Sequence, residues 1–446
     1  MTQFDVVVLG VGMAGLSAAH RLAAAGKRVA VVDSRPYGGT CALRGCDPKK
    51  VLVGAAELVD WQRRMHGHGV SGELRIDWKE LMAFKRTFTE STPANLERGL
   101  ENAGVETLHG RTAFRAENRL EVDGAMIESE RFLIATGAKP RELEIPGAEL
   151  AVTSADFLEL EELPRQVLFI GGGYVSFEFA HIAARAGAEV TILDRNERPL
   201  RAFDPDMVCE LVTASEELGI ELRFETEVTE IAAEGSERVV HTGGGDAFRV
   251  DLVVHGAGRV PEIGDLELAA AGVEHDEQRG VHVSEHLQSV SNPRVYAAGD
   301  AAATDGWPLT PVAVHEGLIA ASNILKGNRR TANYVGTPSV VFTMPALARV
   351  GLTEAEAEEQ RRSFRVERGD MSGWYTARRT REQHAAYKVL IDEETDAILG
   401  AHLLGAHAGE VIDMFALAVR HGLTARDVKT SILVHPAAAS DVAYML

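Results

Sequence analysis

The chain carries the same βαβ pattern twice, and that repeat restricts its fold more than any other feature. FDVVVLGVGMAGLSAAHRLAAAGKRVAVVD covers residues 4–33, and QVLFIGGGYVSFEFAHIAARAGAEVTILD covers residues 166–194. Each copy opens with an apolar run of strand-forming residues. A Gly-x-Gly turn follows, then an amphipathic helix, then a second apolar run that ends in Asp. Gly10 and Asp33 lie 23 positions apart, as do Gly171 and Asp194. A lone glycine pattern is a weak signal, but two copies at one spacing with the right flanks predict two dinucleotide sites.

The glycines of the first copy have separate tasks. Gly10 permits the tight turn, Gly12 lets the backbone approach a diphosphate, and Gly15 allows close packing of helix on strand. The helix N-terminus then offers free N–H groups to the phosphates. Asp33 stands where a carboxylate can accept from a ribose. The second copy reads Gly171-x-Gly173-x-x-Ser176 and ends LDRNERPLR. There Asp194 favours the unphosphorylated ribose of NADH, whereas Arg195 and Arg201 favour the 2′-phosphate of NADPH. The reading leans to NADPH, with NADH as the alternative and a solvated, ion-paired loop as the bland one.

At 446 residues the chain is long enough for about three domains. Its 45% hydrophobic and 25% charged residues are the mix of a soluble globular protein. A formal charge of −20 argues against nucleic acid or an anionic membrane as partner, since both require a basic face. No apolar run reaches the roughly 20 residues that span a bilayer. The segment MTQFDVVVLGVGMAGL lacks a basic leader and breaks into the glycine pattern, unlike a secretion signal. Three cysteines make no disulfide framework. A cytoplasmic protein is expected.

Helical stretches are predicted around 51–65 and 78–103. RFLIATGAKP (131–140) and LVVHGAGRVP (252–261) echo each other, and VYAAGD (295–300) takes another strand into a turn. From about residue 336 antiparallel strands are predicted, followed by a helix over HAGEVIDMFALAVRHG.

Two of the three cysteines fall in GGTCALRGCDPKK, residues 38–50. Cys41 and Cys46 cannot be bridged across an ideal helix, where Cα atoms five residues apart are about 8.6 Å distant and a disulfide tolerates about 7 Å. A regular strand points them to opposite faces. A bridge therefore requires a distorted turn, which Gly45 permits, and a strained, exposed disulfide is the reducible kind. Zinc is the competing reading, but it asks for four ligands and no second pair exists. A structural staple closing so short a loop adds little. Cys209, on a separate predicted helix, is expected to be a buried small hydrophobe.

These motifs in this order resemble the pyridine nucleotide–disulfide oxidoreductases, the family of glutathione reductase, dihydrolipoamide dehydrogenase and mercuric reductase. The resemblance covers essentially the whole chain: both fingerprints, the cysteine segment, ATGAKP, GAGRVP, AAGD, PSVVFTMPALARVGLTEAEA and a His-Pro near the C-terminus. It implies an α/β fold with two Rossmann-like domains, for FAD and NAD(P), and a C-terminal α+β dimerisation domain. The implied boundaries are 1–150 with 264–335 for FAD, 151–263 for NAD(P) and 336–446 for the interface. Gly39, Thr40, Thr136, Gly137 and Asp300 would join the FAD site, and Gly258 the NAD(P) site. Cys46 would be the flavin-side sulfur and Cys41 the one that exchanges with substrate. No metal is implied, and the partner expected is a second copy in a homodimer.

Lys49 lies one helical turn beyond Cys46, where an ammonium favours a thiolate, and the resemblance pairs it with Glu178 beside the flavin. The alternative for Lys49 is a plain surface lysine in the PKK run, and without the family Glu178 reads as a helix-surface carboxylate. Asp47 departs from the apolar residue usual at its position. It either raises the thiol pKa or caps the helix away from the sulfur.

His435, before Pro436, is the expected acid/base, since imidazole titrates near neutrality. The family orients this histidine with a glutamate five residues later. Here that position is Ser440, with Asp441 one step beyond. Arg378, Arg379 and Arg381 either attract an acidic disulfide or are solvated surface paired with acids. The expected activity is reduction of a small disulfide by NAD(P)H through FAD and Cys41–Cys46, glutathione reductase-like. The alternatives are a dihydrolipoamide dehydrogenase-like enzyme, a flavin-direct reductase of quinones, metal ions or a second nicotinamide, and a non-catalytic redox-sensing flavin dimer.

Overall fold

In the computed structural model, which describes residues 2–446, both glycine repeats fold as βαβ units. The chain divides into two units. One comprises Met1–Lys49, Ala83–Arg141 and Gly258–Tyr334, and the other Lys50–Met82, Glu142–Ala257 and Val335–Leu446.

The first unit is built on strand Thr2–Leu9. It pairs in parallel with Val29–Asp33 on one side and Ala125–Ile134 on the other. Glu106–His109 extends the first side and Val295–Ala297 pairs with Ala125–Ile134, both in parallel. A strand with helices or loops on both faces must be apolar throughout. Accordingly Val7 and Leu9 enter one core with Phe114 and Phe132, while Val6 and Val8 enter another with Ala19 and Leu22. Helix Met13–Ala24 follows the turn and lies very close to it. A Cβ on Gly15 would stand 2.0 Å from the Gly10 carbonyl oxygen.

The second unit holds the second repeat in a parallel sheet. Its order is Glu221–Arg223, Glu189–Leu193, Gln166–Ile170, Leu252–His255, Val152–Thr153. Ser176, where the first repeat has a glycine, is fully buried. The space it needs comes from Gly256 opposite, where a Cβ would meet Ser176 Oγ at 2.1 Å. The close approach survives with the small residue moved across the contact.

The same unit contains the antiparallel sheet expected beyond residue 336, with order Ser339–Val341, Ala346–Gly351, Ile398–Gly405, Ala386–Asp392, Phe364–Asp370. Helix Ala408–His421 covers it with Val411, Ile412 and Phe415. Lys388 on that sheet is buried and bonded to Asp204 at 2.9 Å and Asp206 at 2.6 Å. This ties the sheet to helix Pro205–Glu217, whose N-cap is Asp204.

Two local expectations change. The stretch 78–103 is two helices, Trp78–Thr89 and Thr92–Asn102. Pro93 is tolerated only in a first helical turn, so the chain must restart there. Cys209 does lie on a helix, but it is exposed. Met207, Val208, Leu211 and Ala214 take the buried stripe of Pro205–Glu217, and Cys209 falls outside it.

Gly15→Ala should lower the thermal unfolding midpoint, by the equivalent of about 1–3 kcal/mol of overpacking. Gly54→Ala, in helix Cys46–Met65 with open space around it, should leave the midpoint level or raise it slightly. Equal midpoints for Gly15→Ala and the parent would show that helix and turn can separate freely.

Candidate active site around the cysteine pair

Helix Gly39–Arg44 begins where Gly39, at φ +65, packs on the first glycine turn. A Cβ there would stand 2.6 Å from Gly12 Cα, so no side chain is admissible. The helix ends at Gly45, whose φ of −153 and ψ of −109 leave the helical region. A new helix, Cys46–Met65, starts at the next residue, with Lys49 N–H donating to the Gly45 carbonyl at 3.0 Å. The two cysteines thus sit on consecutive helices, and the break removes the geometric obstacle to bridging them. It falls at Gly45, where the sequence located it.

The two thiols interact, and the interaction moves their pKa values apart. The Cys41 thiol stabilises a Cys46 thiolate and brings the Cys46 pKa down to about 6. Burial opposes this, while the Thr310 hydroxyl, 3.4 Å from Cys46 Sγ, and the Lys49 ammonium reinforce it. Cys41 moves the other way, raised well above the usual thiol range by the Cys46 thiolate and then by burial. Asp47 resolves as the sulfur-facing alternative. Its Oδ1 lies 3.9 Å from Cys41 Sγ, and its charge raises both sulfurs.

The remaining residues expected at the first dinucleotide site fall in the same unit. Asp33 Oδ2 accepts from Val11 N–H at 2.8 Å and Oδ1 from Arg35 N–H at 2.9 Å, which braces the phosphate turn. The echoed segments ATGAKP and GAGRVP pair with each other, Ala138–Pro140 antiparallel to Arg259–Pro261. Gly137 lies at φ +73 just before the first of these strands. Gly258, expected with the second nucleotide, opens the other strand, and its carbonyl accepts from Arg141 N–H at 3.0 Å. Thr136 Oγ1 is buried with no hydrogen-bond partner among the described residues. An orphaned hydroxyl on the residue packed against Gly10 of the phosphate turn fits a bound group that supplies phosphate and polar atoms, so these residues suit FAD. Asp300 lies in the turn Gly299–Ala301. Burial raises its pKa against the pull of Arg259.

Three participants escaped the sequence reading. Thr310 opens helix Thr310–Lys326, and only the Thr-Pro helix start marks it. Arg259 reaches Thr40 Oγ1 at 3.5 Å and also bonds the Ala138 carbonyl. It stands in GAGRVP directly after Gly258. Glu316, buried, accepts from Gly299 N–H at 2.6 Å, Thr304 at 2.8 Å and Tyr334 at 2.5 Å, fixing the turn that carries Asp300. Nothing local distinguishes it from any helix glutamate.

The second unit holds the other expected residues. Gly171 has φ +98 and Gly173 caps helix Tyr174–Arg185, in which Glu178 is buried and accepts from Phe342 N–H at 2.8 Å. Asp194 is buried, and its Oδ1 is taken by the backbone and side-chain amides of Asn196 at 3.2 and 2.8 Å. Arg195 and Arg201 are exposed, with Arg201 donating to Asn196 Oδ1 at 3.2 Å. His435 is exposed and forms no hydrogen bond among the described residues. Ser440 cannot replace the family glutamate, because its hydroxyl is folded onto the Ala437 carbonyl at 2.6 Å. Arg378, Arg379 and Arg381 are exposed and pair with no carboxylate among the described residues, contrary to the paired-surface reading.

Residues 4–317 match the family described as pyridine nucleotide-disulphide oxidoreductase, and residues 337–445 match its dimerisation domain. The chain is 34% identical to a glutathione reductase of Burkholderia cepacia, over 98% of this chain and 97% of that one. It is 32% identical to a mercuric reductase of Bacillus cereus, over 96% and 69% respectively. Among solved structures it is similar to the HOCl-induced flavoprotein disulfide reductase RclA from Escherichia coli in its Cu(II) complex. The TM-score is 0.90 at 27% identity, covering 100% of this chain and 99% of that one. The chain belongs to this family, the NAD(P)H-dependent flavoprotein disulfide oxidoreductases. Among the described residues no helix is long and apolar enough to cross a membrane, and no cluster of three His, Cys, Asp or Glu could hold a metal.

In the reduced protein one thiolate should titrate near pH 6, present above and lost below, and Cys46→Ser should abolish it. Asp47→Asn removes a charge that raises both sulfurs, so the midpoint should move down. Ultraviolet thiolate absorbance against pH measures both. A midpoint that rises in Asp47→Asn would contradict the facing carboxylate.

Proposed function

We propose that this enzyme reduces a small anionic disulfide, of the glutathione disulfide kind, at the expense of NADPH. The carrying observation is the placement of the cysteines on two helices broken at Gly45, Cys41 beside the Asp47 carboxylate and Cys46 beside the Thr310 hydroxyl, with Cys46 the sulfur shifted toward the thiolate. Bound FAD supplies the redox ring through which the two electrons of a nicotinamide donor reach a disulfide.

The residues of the chain do the rest. Cys41 must lose its proton before it attacks, and His435 is proposed to take it. The Cys41 thiolate then displaces one sulfur of the substrate, giving a mixed disulfide and a leaving thiolate that receives the proton from His435. Attack of the Cys46 thiolate on Cys41 Sγ releases the second thiolate and restores the Cys41–Cys46 disulfide. In the homodimer His435 would serve the cysteine pair of the other copy. The exposure of Ile432, Val434 and Tyr444 around it supports a surface that a second copy covers. With Ser440 turned away, His435 works without the family's orienting glutamate. Lys49 and Glu178, both buried, keep the flavin-side roles that the resemblance implies.

The guanidinium groups of Arg378, Arg379 and Arg381, paired with no carboxylate among the described residues in a chain of net charge −20, support an anionic substrate. NADPH is supported because Asp194 spends an oxygen on Asn196 while Arg195 and Arg201 stand exposed. The scarcity of cysteine suits a reducing, cytoplasmic setting.

Rapid mixing with NADPH and a panel of disulfides tests the scheme. Cys41→Ser should abolish disulfide turnover; turnover that survives it would favour direct reduction of quinones, metal ions or a second nicotinamide. His435→Ala should slow disulfide reduction by about 10²–10⁴-fold and leave reduction of the enzyme by NADPH unchanged. Arg201→Ala should raise KM for NADPH about tenfold or more, by loss of a charge-assisted contact, and spare NADH. Equal effects on both nucleotides would remove the phosphate-reading role.

A further inference from the structure

Arg44 lies between the two cysteines, in helix Gly39–Arg44, and the mechanism above makes no use of it. It is half-buried, and its guanidinium makes no hydrogen bond or ion pair among the described residues. Burial holds its pKa below the usual guanidinium value. Of the charges around it, Arg35 and Arg259 push the same way, while Asp33 and Glu262 push back.

The neighbouring groups are already engaged. Arg35 bonds Glu262, Arg259 bonds the Ala138 carbonyl, and Asp33 accepts from the backbone of Val11 and Arg35. Three guanidinium groups therefore face two committed carboxylates. A partly desolvated cation without a partner is costly, and arginine is suited to binding phosphate through a fork of two N–H groups.

Position indicates which anion. Thr40 and Arg44 stand four residues apart on one helix, hence on one face. Arg259 reaches Thr40 Oγ1 on that face. The same helix starts at Gly39, in contact with Gly12 of the phosphate turn.

We propose that Arg44 binds the diphosphate of FAD from the helix that carries Cys41, acting with Thr40 and Arg259. The assignment rests on the flavin reading of this site and adds a residue to it. It also gives cofactor loading a structural consequence, since the anion that engages Arg44 holds the segment in which both cysteines lie.

The test uses full-length apoprotein titrated with FAD, followed by quenching of flavin fluorescence and by the FAD-induced rise in thermal midpoint. Arg44→Met should weaken FAD about 10–100-fold, as expected for a lost charge-assisted contact. It should also flatten the salt dependence of binding, while the midpoint of the apoprotein stays at the parent value. Arg44→Gln, neutral but polar, serves with the same outcomes if the methionine variant does not fold. FAD binding and salt dependence equal to the parent in either variant overturn the role of Arg44 and leave the flavin site standing. A parent apoprotein that binds no FAD at all overturns the flavin reading together with it.

Discussion

The contact of Gly39 with Gly12 is the constraint on which the site depends. Two backbones meet with no room for a side chain between them. One belongs to the turn whose geometry suits a diphosphate, the other to the helix that carries Cys41. Because the contact is backbone on backbone, it does not rely on a rotamer and cannot relax by side-chain motion. Cys41 follows that contact by two residues and Cys46 by seven, and the break at Gly45 starts a new helix at the second cysteine.

Electrostatics then divides the roles of two chemically identical groups. A single proton shared between Cys41 and Cys46 would leave an even pair ambivalent. The interaction between the two thiols itself sets the asymmetry, lowering Cys46 and raising Cys41, and Lys49 reinforces it at Cys46. A stable thiolate at Cys46 suits electron exchange with a flavin, and a protonated Cys41 creates the need for a base. In the proposed mechanism His435 meets that need, while Ser440 closes a short local turn with Ala437.

Much of this architecture was legible in the residues. The repeat of strand, glycine turn and helix located both βαβ units, because period and turn chemistry are local properties. The break at Gly45 could be read from the residues because helix geometry forbids bridging Cys41 and Cys46 across an unbroken helix. Ser176 in place of a third glycine was visible too, but its compensation by Gly256, some eighty residues away, was not. The exposure of Cys209 was missed because a helix has two faces, and the sequence does not say which one the sheet covers.

Pattern and turn residues alone determined the two βαβ units, the place of the break between the cysteines and the antiparallel terminal sheet, all of which follow from forces acting within a few residues. Only the folded chain decided which distant groups complete them. Thr310 reached Cys46, Glu316 fixed the turn of Asp300, and ATGAKP joined GAGRVP in one ribbon. Lys388 found Asp204 across 184 positions. Such pairings depend on where the backbone returns in space, and long-range packing sets that return.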